Sequence, residues 1–519
     1  MLSPDRNNAT PREKISARNW LIFATLCFGA IAGAMSNGII STTLGQPSFL
    51  EYFGFLNLTG TNTSLIGATL GVFYAGCLFG LHCQDYVSDK YGRRMSLAVA
   101  SATSIVSGGL IAGSVHIAMF LVFRFLAGFG ASMFVAATPL LMSELSTPRH
   151  RGLMVGMFGV GLSFGYSVAS WFGVAFYYLP ASGAQWRIPY ALTTVPSILT
   201  LILLPWIPES PRWLIMVDHL DEALRIIRSL HGSSRDPQLD SFANAEFEQM
   251  KTQIAFERQH KVTWVEFLTS KRYRSRVWTA ALTFMASQSA GILVVINYST
   301  AITKNLGFGP AAQLSITSAY LSSGLVAVCI GALIVDHLGR VRSIIIGTLL
   351  QVTLLACLTG IIAKYAGSSN KAANSAAIAL FFLYFLSYGT FVEGQIYTYC
   401  NELFPSHLRA KGVTWGLSWL YLFAIPFTTG ALYAFETVGW RYYLVFIVVP
   451  LVVVAALRFL AKETKGKTLE EIGALFGDEL VVRNLDDQLQ TDKVAGTESV
   501  HVEKIYPTVS EQDEAAKTF

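Results

Sequence analysis

The sequence predicts an all-α integral membrane protein of twelve transmembrane helices in two six-helix bundles, with both termini cytoplasmic. Three observations predict it. Hydrophobic residues make up 52% of the 519 and charged residues only 14%, against about 25% charged in an ordinary soluble domain. Apolar runs recur at about the 20-residue length that lets a helix cross a hydrocarbon core of about 30 Å with its backbone polar groups satisfied. A charged signature also stands at matching points of two hydrophobic halves. It reads Asp89-Lys90-Tyr91-Gly92-Arg93-Arg94 in the first and Asp336-His337-Leu338-Gly339-Arg340-Val341-Arg342 in the second.

The elements follow in chain order. Residues 1–19 form an arm carrying Arg6, Arg12, Lys14 and Arg18, whereas 42–64 contain no Lys or Arg. Positive charge in short loops marks the cytoplasmic side, which places both termini there. The first bundle covers 20–207, with spans near 20–41, 65–84, 96–114, 117–142, 153–178 and 188–207. A basic segment, 208–277, returns to the cytoplasmic side. Its stretches 220–230 and 245–258 alternate apolar and charged residues at helical spacing, as short amphipathic helices or as a solvated linker. The second bundle covers 278–460, with spans near 278–302, 314–335, 343–364, 376–400, 412–434 and 440–460. The tail, 461–519, is polar and mixed in charge, the composition of a mostly disordered segment.

Several functional classes fall away. The net charge of +5 reflects cytoplasmic loops and not a nucleic-acid surface. The six cysteines, Cys27, Cys77, Cys83, Cys329, Cys357 and Cys400, fall within or at the ends of spans with no metal-ligand spacing, so no metal is expected. Neither a nucleophile with a positioned base nor a phosphate loop is present, so neither enzyme nor cofactor is expected. Asn57 and Asn62 head sequons in the outer loop between spans one and two, candidate glycosylation sites.

The signature recurs in three parts. Glu144 precedes Arg151 by seven positions, as Glu402 precedes Arg409, while Glu209 and Arg212 close the first half as Glu463 closes the second. A motif duplicated across two hydrophobic halves is the mark of a transporter built from a repeated bundle. Gly92 and Gly339 permit tight turns, Asp89 and Asp336 can accept from helix N-termini, and Arg93, Arg94 and Arg340 can pair with carboxylates. The expectation is a cytoplasmic latch of ion pairs bridging the two bundles; the plainer reading is topogenic charge alone.

These motifs, with Arg124, Pro208–Trp213, Glu402-Leu403-Phe404-Pro405 and Glu463–Leu469, resemble the sugar porters of the major facilitator superfamily, and Gly38–Ser41 and Pro47–Leu50 resemble its fungal branch. The resemblance implies a substrate site between the halves at mid-membrane and places Arg124 in the family's cytoplasmic-side charge network. It also identifies positions where this chain departs. In span seven the sugar-contacting set reads Ser287-Gln288, Gly291, Leu293 and Asn297-Tyr298. A Gln expected in span five is Gly159, an Asn expected in span eight falls near Gly324, the Trp of span ten is Tyr397, and the Asn-Trp of span eleven aligns with Leu420-Tyr421. Each sugar hydroxyl desolvated without a partner costs about 1–3 kcal/mol, so loss of several amides argues against ordinary glucose binding.

What replaces them is aromatic. Gln288, Asn297, Tyr298, Glu393, Gln395, Tyr397 and Tyr421 are the candidate substrate contacts, suited to a solute larger or less polar than a hexose. Gly389 and Gly394 stand where the family breaks span ten with Gly-Pro, so local irregularity is expected there. An acid within a span is a functional candidate by default; Glu393 either takes a proton or cation, or lies near the outer end and snorkels. Proton-coupled members carry Asp where this chain has Ser36 beside Asn37, which resembles the facilitators; His82 is a weaker proton candidate. The expected partners are a small-molecule substrate, the lipid bilayer and, through Glu393, protons. The expected function is movement of a sugar or sugar-like organic solute by alternating access, in the plasma membrane. A carrier or exporter of a non-sugar metabolite and a non-transporting nutrient sensor are the alternatives.

Overall fold

The structure is a computed structural model that describes residues 17–56, 60–146, 151–180, 183–231, 237–259, 262–365, 370–405, 408–465, 472–473 and 475–476. Twelve helices among the described residues are long and apolar enough to cross a membrane. In the first half they are Asn19–Thr43, Gly60–Tyr91, Arg93–Ala112, Ile117–Glu144, Gly156–Tyr177 and Ala184–Trp206. In the second they are Lys271–Asn297, Pro310–Gly331, Arg340–Tyr365, Lys371–Leu403, Arg409–Thr437 and Gly439–Leu460. Hydropathy marks only the stretch within hydrocarbon, so span two, expected at 65–84, runs on as helix through both interfaces.

Local chemistry sets several starts. His116 Nδ1 accepts from Ala118 N at 3.2 Å and opens span four, and Asn370 Oδ1 accepts from Ala372 N and Ala373 N at 3.1 and 3.2 Å to open span ten. Ser270 Oγ accepts from Arg272 N at 3.3 Å, so the helix of span seven begins at Lys271. The expected boundary at 277/278 is therefore displaced: Lys271–Val277, polar in composition, is the first two turns of that helix and not linker. Span seven then breaks at Gly291, whose φ of 82° is open to glycine. A Cβ there would also meet the Phe446 ring at 2.7 Å.

Between the halves lie Pro211–Met216, Leu220–His231, Pro237–Gln259 and Trp264–Thr269, all helical. The apolar faces of the first three pack on one another through Leu214, Ile215, Ile227, Phe247 and Ile254. Arg228 with Asp240 at 2.9 Å and His231 with Glu246 at 2.5 Å tie the second and third together at their polar edges. The segment is thus a small helical layer with a core of its own.

The halves meet chiefly along span two with eleven and span five with eight, with smaller contacts of span one with seven and eight. Span two meets span eleven at several levels. Thr63 Oγ1 donates to Glu436 at 2.9 Å at one end, the Tyr74 and Tyr421 rings stack at 6.3 Å midway, and Thr414 Oγ1 donates to Asp85 at 3.0 Å near the other. Trp171 Nε1 donates to Ser322 Oγ at 3.0 Å between spans five and eight, and Thr300 Oγ1 to the Ser41 carbonyl at 3.2 Å between spans seven and one. The end that carries Asp89, Glu144 and Glu402 is called the motif end below.

Candidate functional site

Two regions hold the candidate residues, and they are built differently. At the motif end each half carries a carboxylate clamp around one tight turn. Gly92 has φ 97°, and the first backbone amides of the helix it precedes, those of Arg93 and Arg94, donate to Glu209 at 3.1 and 3.2 Å. A carboxylate there satisfies orphan donors and meets the positive end of the helix dipole. The Arg93 guanidinium turns back to Glu144 at 3.0 Å and to Asp89 at 3.5 Å. In the second half Gly339 has φ 93°, Glu463 accepts from Arg340 N at 2.8 Å and Arg342 N at 3.2 Å, and Arg340 pairs with Glu402 at 3.2 Å. Burial raises the Glu209 carboxyl above its usual range, and the Ser210, Arg94 and Arg93 amides oppose that.

Among the described residues this geometry corrects the expected latch. Both ion pairs close within their own half, because each Arg sits at the start of a span whose neighbours in the same half carry the Glu. Among the described residues, contacts between halves near this end include Thr414 with Asp85 and Ser418 with His82 at 3.4 Å, and the Lys411 charge acts on Asp85 and Asp89 across the seam. Arg212 reaches Gln253 of the linker layer at 3.3 Å. Neighbouring Glu257 has its carboxyl raised by burial, with Arg212 and Arg409 acting against the rise. The side chains of Arg151 and Asp336 lie outside the described residues, as does Asn57.

Midway through the bundle a cavity lies between the halves. The first half lines it with Asn37, Phe73, Tyr74 and Tyr166, and the second with Gln288, Phe385, Tyr388, Glu393, Tyr397 and Tyr421; aliphatic and small residues complete it. Its amides are already engaged. Asn37 Nδ2 donates to Tyr166 Oη at 2.8 Å while its Oδ1 accepts from Tyr74 Oη at 3.3 Å, and Gln288 Nε2 donates to Ser287 Oγ at 3.0 Å. Seven rings share the remaining surface with aliphatic and small side chains, and Phe385 and Tyr388 stack at 6.5 Å. Glu393 ends a five-residue stretch, Gly389–Glu393, wound as π-helix. Such a turn re-aims the side chains beside it and recurs at functional sites. Ser343 Oγ donates to the Phe391 carbonyl at 2.9 Å within it.

A family model described as sugar (and other) transporter matches residues 17–476. The chain belongs to this family. It is 29% identical to the MFS-type transporter criB of Aspergillus cristatus, over 87% of this chain and 93% of the relative. It is 26% identical to a high-affinity glucose transporter of Kluyveromyces lactis, over 88% and 84%. The fold matches the partially occluded, inward-open form of the E. coli xylose transporter XylE with a TM-score of 0.72 at 20% identity, over 87% of this chain and all of that one. The protein is therefore a multi-pass integral membrane member of a transporter family.

Within this sugar transporter family member, the cavity takes up four of the seven candidate contacts: Gln288, Glu393, Tyr397 and Tyr421. Gly324 and Leu420, aligned with family contact positions, also line it. Asn297, Tyr298 and Gln395 do not. Asn297 donates to the lining Tyr74 Oη at 2.8 Å, and Tyr298 Oη donates to the Thr428 carbonyl at 2.9 Å. Gln395 is buried two residues from Glu393, on the far side of the helix. A Cβ at Gly159 would meet Val328 at 3.6 Å, and the same span reaches the cavity through Leu162, Ser163 and Tyr166.

Arg124 is a correction. It lies twenty residues before Glu144, about 30 Å of helix from the motif end, and is wholly buried. Its Nη1 donates to the Ser36 carbonyl at 2.7 Å and its guanidinium lies over the Phe73 ring at 4.3 Å. It belongs beside the cavity wall and not to the network at the motif end. Glu393 stands nine residues before Glu402, about 14 Å of helix from the motif end, which removes the reading of an acid snorkelling at the outer end. Asn37, Tyr74, Tyr166 and Tyr388 were absent from the candidate contacts. The spacing of Asn37 to the family's Ser36 position, and of Tyr388 and Glu393 around the two glycines, was the available signal.

Proposed function

We propose that this chain carries a sugar-like organic solute across a membrane by alternating access, with the central cavity as its binding site. The observation that carries the reading is the cavity itself. It is enclosed by both halves, and mid-membrane sites at a repeat interface are where such carriers hold their solute. Rocking of the halves about that site exposes it first to one side and then to the other. The clamps keep each half rigid during the movement, and the contacts that must part are the Asp85–Thr414 and Thr63–Glu436 hydrogen bonds at opposite ends of one seam. The motif end is cytoplasmic by its charge, and the plasma membrane fits the glucose transporters among the relatives. Ser36 supplies no titrating group in span one, which favours facilitated movement.

A specific observation favours a second reading, a carrier of a non-sugar metabolite: the two cavity amides bond to neighbouring hydroxyls, and the rest of the wall is seven rings set among aliphatic and small side chains. Uptake of labelled hexoses, polyols and aromatic metabolites into cells lacking their own hexose carriers tests both. Saturable hexose uptake supports the first and uptake of aromatic solutes alone supports the second. No saturable uptake of any solute, with the chain at the cell surface, contradicts transport.

A further inference from the structure

This inference rests on the cavity being the solute site. Glu393 is the only charged side chain on its lining. Among the described residues nothing donates a hydrogen bond to its carboxylate and nothing pairs with it, and the nearest groups of consequence are the Tyr166, Tyr388 and Tyr397 phenols. Arg124 does not pair with it: its Nη1 donates to the Ser36 carbonyl, its guanidinium lies over the Phe73 ring, and its Nε and Nη2 have no hydrogen-bond partner among the described residues.

A carboxylate enclosed in a largely apolar cavity is costly unless its charge is compensated. When the halves close on a solute, water leaves and the compensation has to come from what the cavity holds. A neutral polyol brings hydrogen-bond donors but no charge, and an anion adds repulsion. A protonated nitrogen brings both the charge and the N–H donors. It is also the group that aromatic faces attract, and five phenol rings, Tyr74, Tyr166, Tyr388, Tyr397 and Tyr421, line the same space.

We infer that the cavity selects a solute bearing a protonated nitrogen on an aromatic or alicyclic body, with the nitrogen paired to Glu393 and the body against the Tyr74–Tyr421 and Phe385–Tyr388 ring pairs. The position explains the choice of residue. Glu393 and Tyr397 are four apart and share one helix face, so a single group can meet the carboxylate and the ring together.

Phenethylamine, 2-phenylethanol and phenylacetate share one body and carry positive, zero and negative charge. Their binding to the purified full-length chain in nanodiscs, measured by calorimetry, tests the inference. The amine binds roughly tenfold tighter than the alcohol or the acid, about 1.4 kcal/mol. Glu393→Gln, matched to the unaltered chain in melting temperature, abolishes the preference, and Glu393→Asp keeps part of it. Equal binding of amine and alcohol by the unaltered chain overturns the inference, as does an amine preference that survives in Glu393→Gln. Exchange of labelled solute in proteoliposomes separates this from the transport reading. Amine bound through Glu393 but never exchanged contradicts transport and leaves the inference standing. Hexose exchange accompanied by proton movement and lost in Glu393→Gln assigns the carboxylate to a proton and overturns the inference while transport stands.

Discussion

In the first half Arg93 and Glu144 meet with side chains 7% and 8% exposed, while their counterparts Arg340 and Glu402 are 16% and 23% exposed. The Arg–Glu pair, the positive-φ glycine turn and a carboxylate on the backbone amides that follow it are common to both. A repeated turn geometry thus keeps its residues in both halves even as its depth changes, because the backbone demands them. The cavity shows the opposite behaviour. Its only charge, Glu393, comes from the second half, and the first half answers with Asn37 and tyrosines. Where the chain itself is the partner the repeat persists, and where a solute is the partner the halves have diverged.

The sharpest way to break the comparison is at the clamps. Arg93→Ala leaves Glu144 buried without its cation, a loss of about 3–5 kcal/mol for a buried pair, read as a large fall in melting temperature in detergent. Arg340→Ala, at a wetter pair, costs about 1 kcal/mol. Equal losses in the two variants would show that depth does not distinguish them. The cavity responds in the other direction. Tyr397→Phe leaves melting unchanged and weakens solute binding by roughly two- to tenfold, the span of one hydrogen bond; a stability loss with unaltered binding would place Tyr397 in packing alone.

The smallest effect belongs to the linker layer. Burial raises the Glu257 carboxyl above its ordinary 4.5. The folded chain therefore holds a proton that the unfolded chain has released, and stability falls as pH rises from 4.5 through the raised value. Glu257→Gln flattens that slope in thermal melts taken across the range, and a slope unchanged by the substitution would locate it elsewhere.

Much of the fold was legible because its signals are local. Apolar length gave the spans, and Gly92 and Gly339 marked turns that only a positive φ can make. The irregular stretch in span ten was legible at Gly389, whereas the break at Gly291 in span seven was not expected. Other features depend on rotation and depth, which a motif does not carry. Gln395 was expected beside Glu393 and Tyr397, but two residues along a helix is about 200° of rotation, and it faces away. Arg124 was assigned by resemblance to the motif end, although its count from Glu144 already put it deep in the membrane. The pairing of each Arg within its own half was also hidden, since the sequence shows which charges exist and not which face they share.

Cys77 offers the most direct test of a cavity exposed in turn to both sides, since it lines that cavity and is 2% exposed. With the other five cysteines replaced, a membrane-impermeant thiol reagent is applied to either face of oriented proteoliposomes, with and without solute. Labelling of Cys77 from both faces, slowed by solute on each, is the predicted result. Labelling from one face only, or labelling indifferent to solute, would contradict the account.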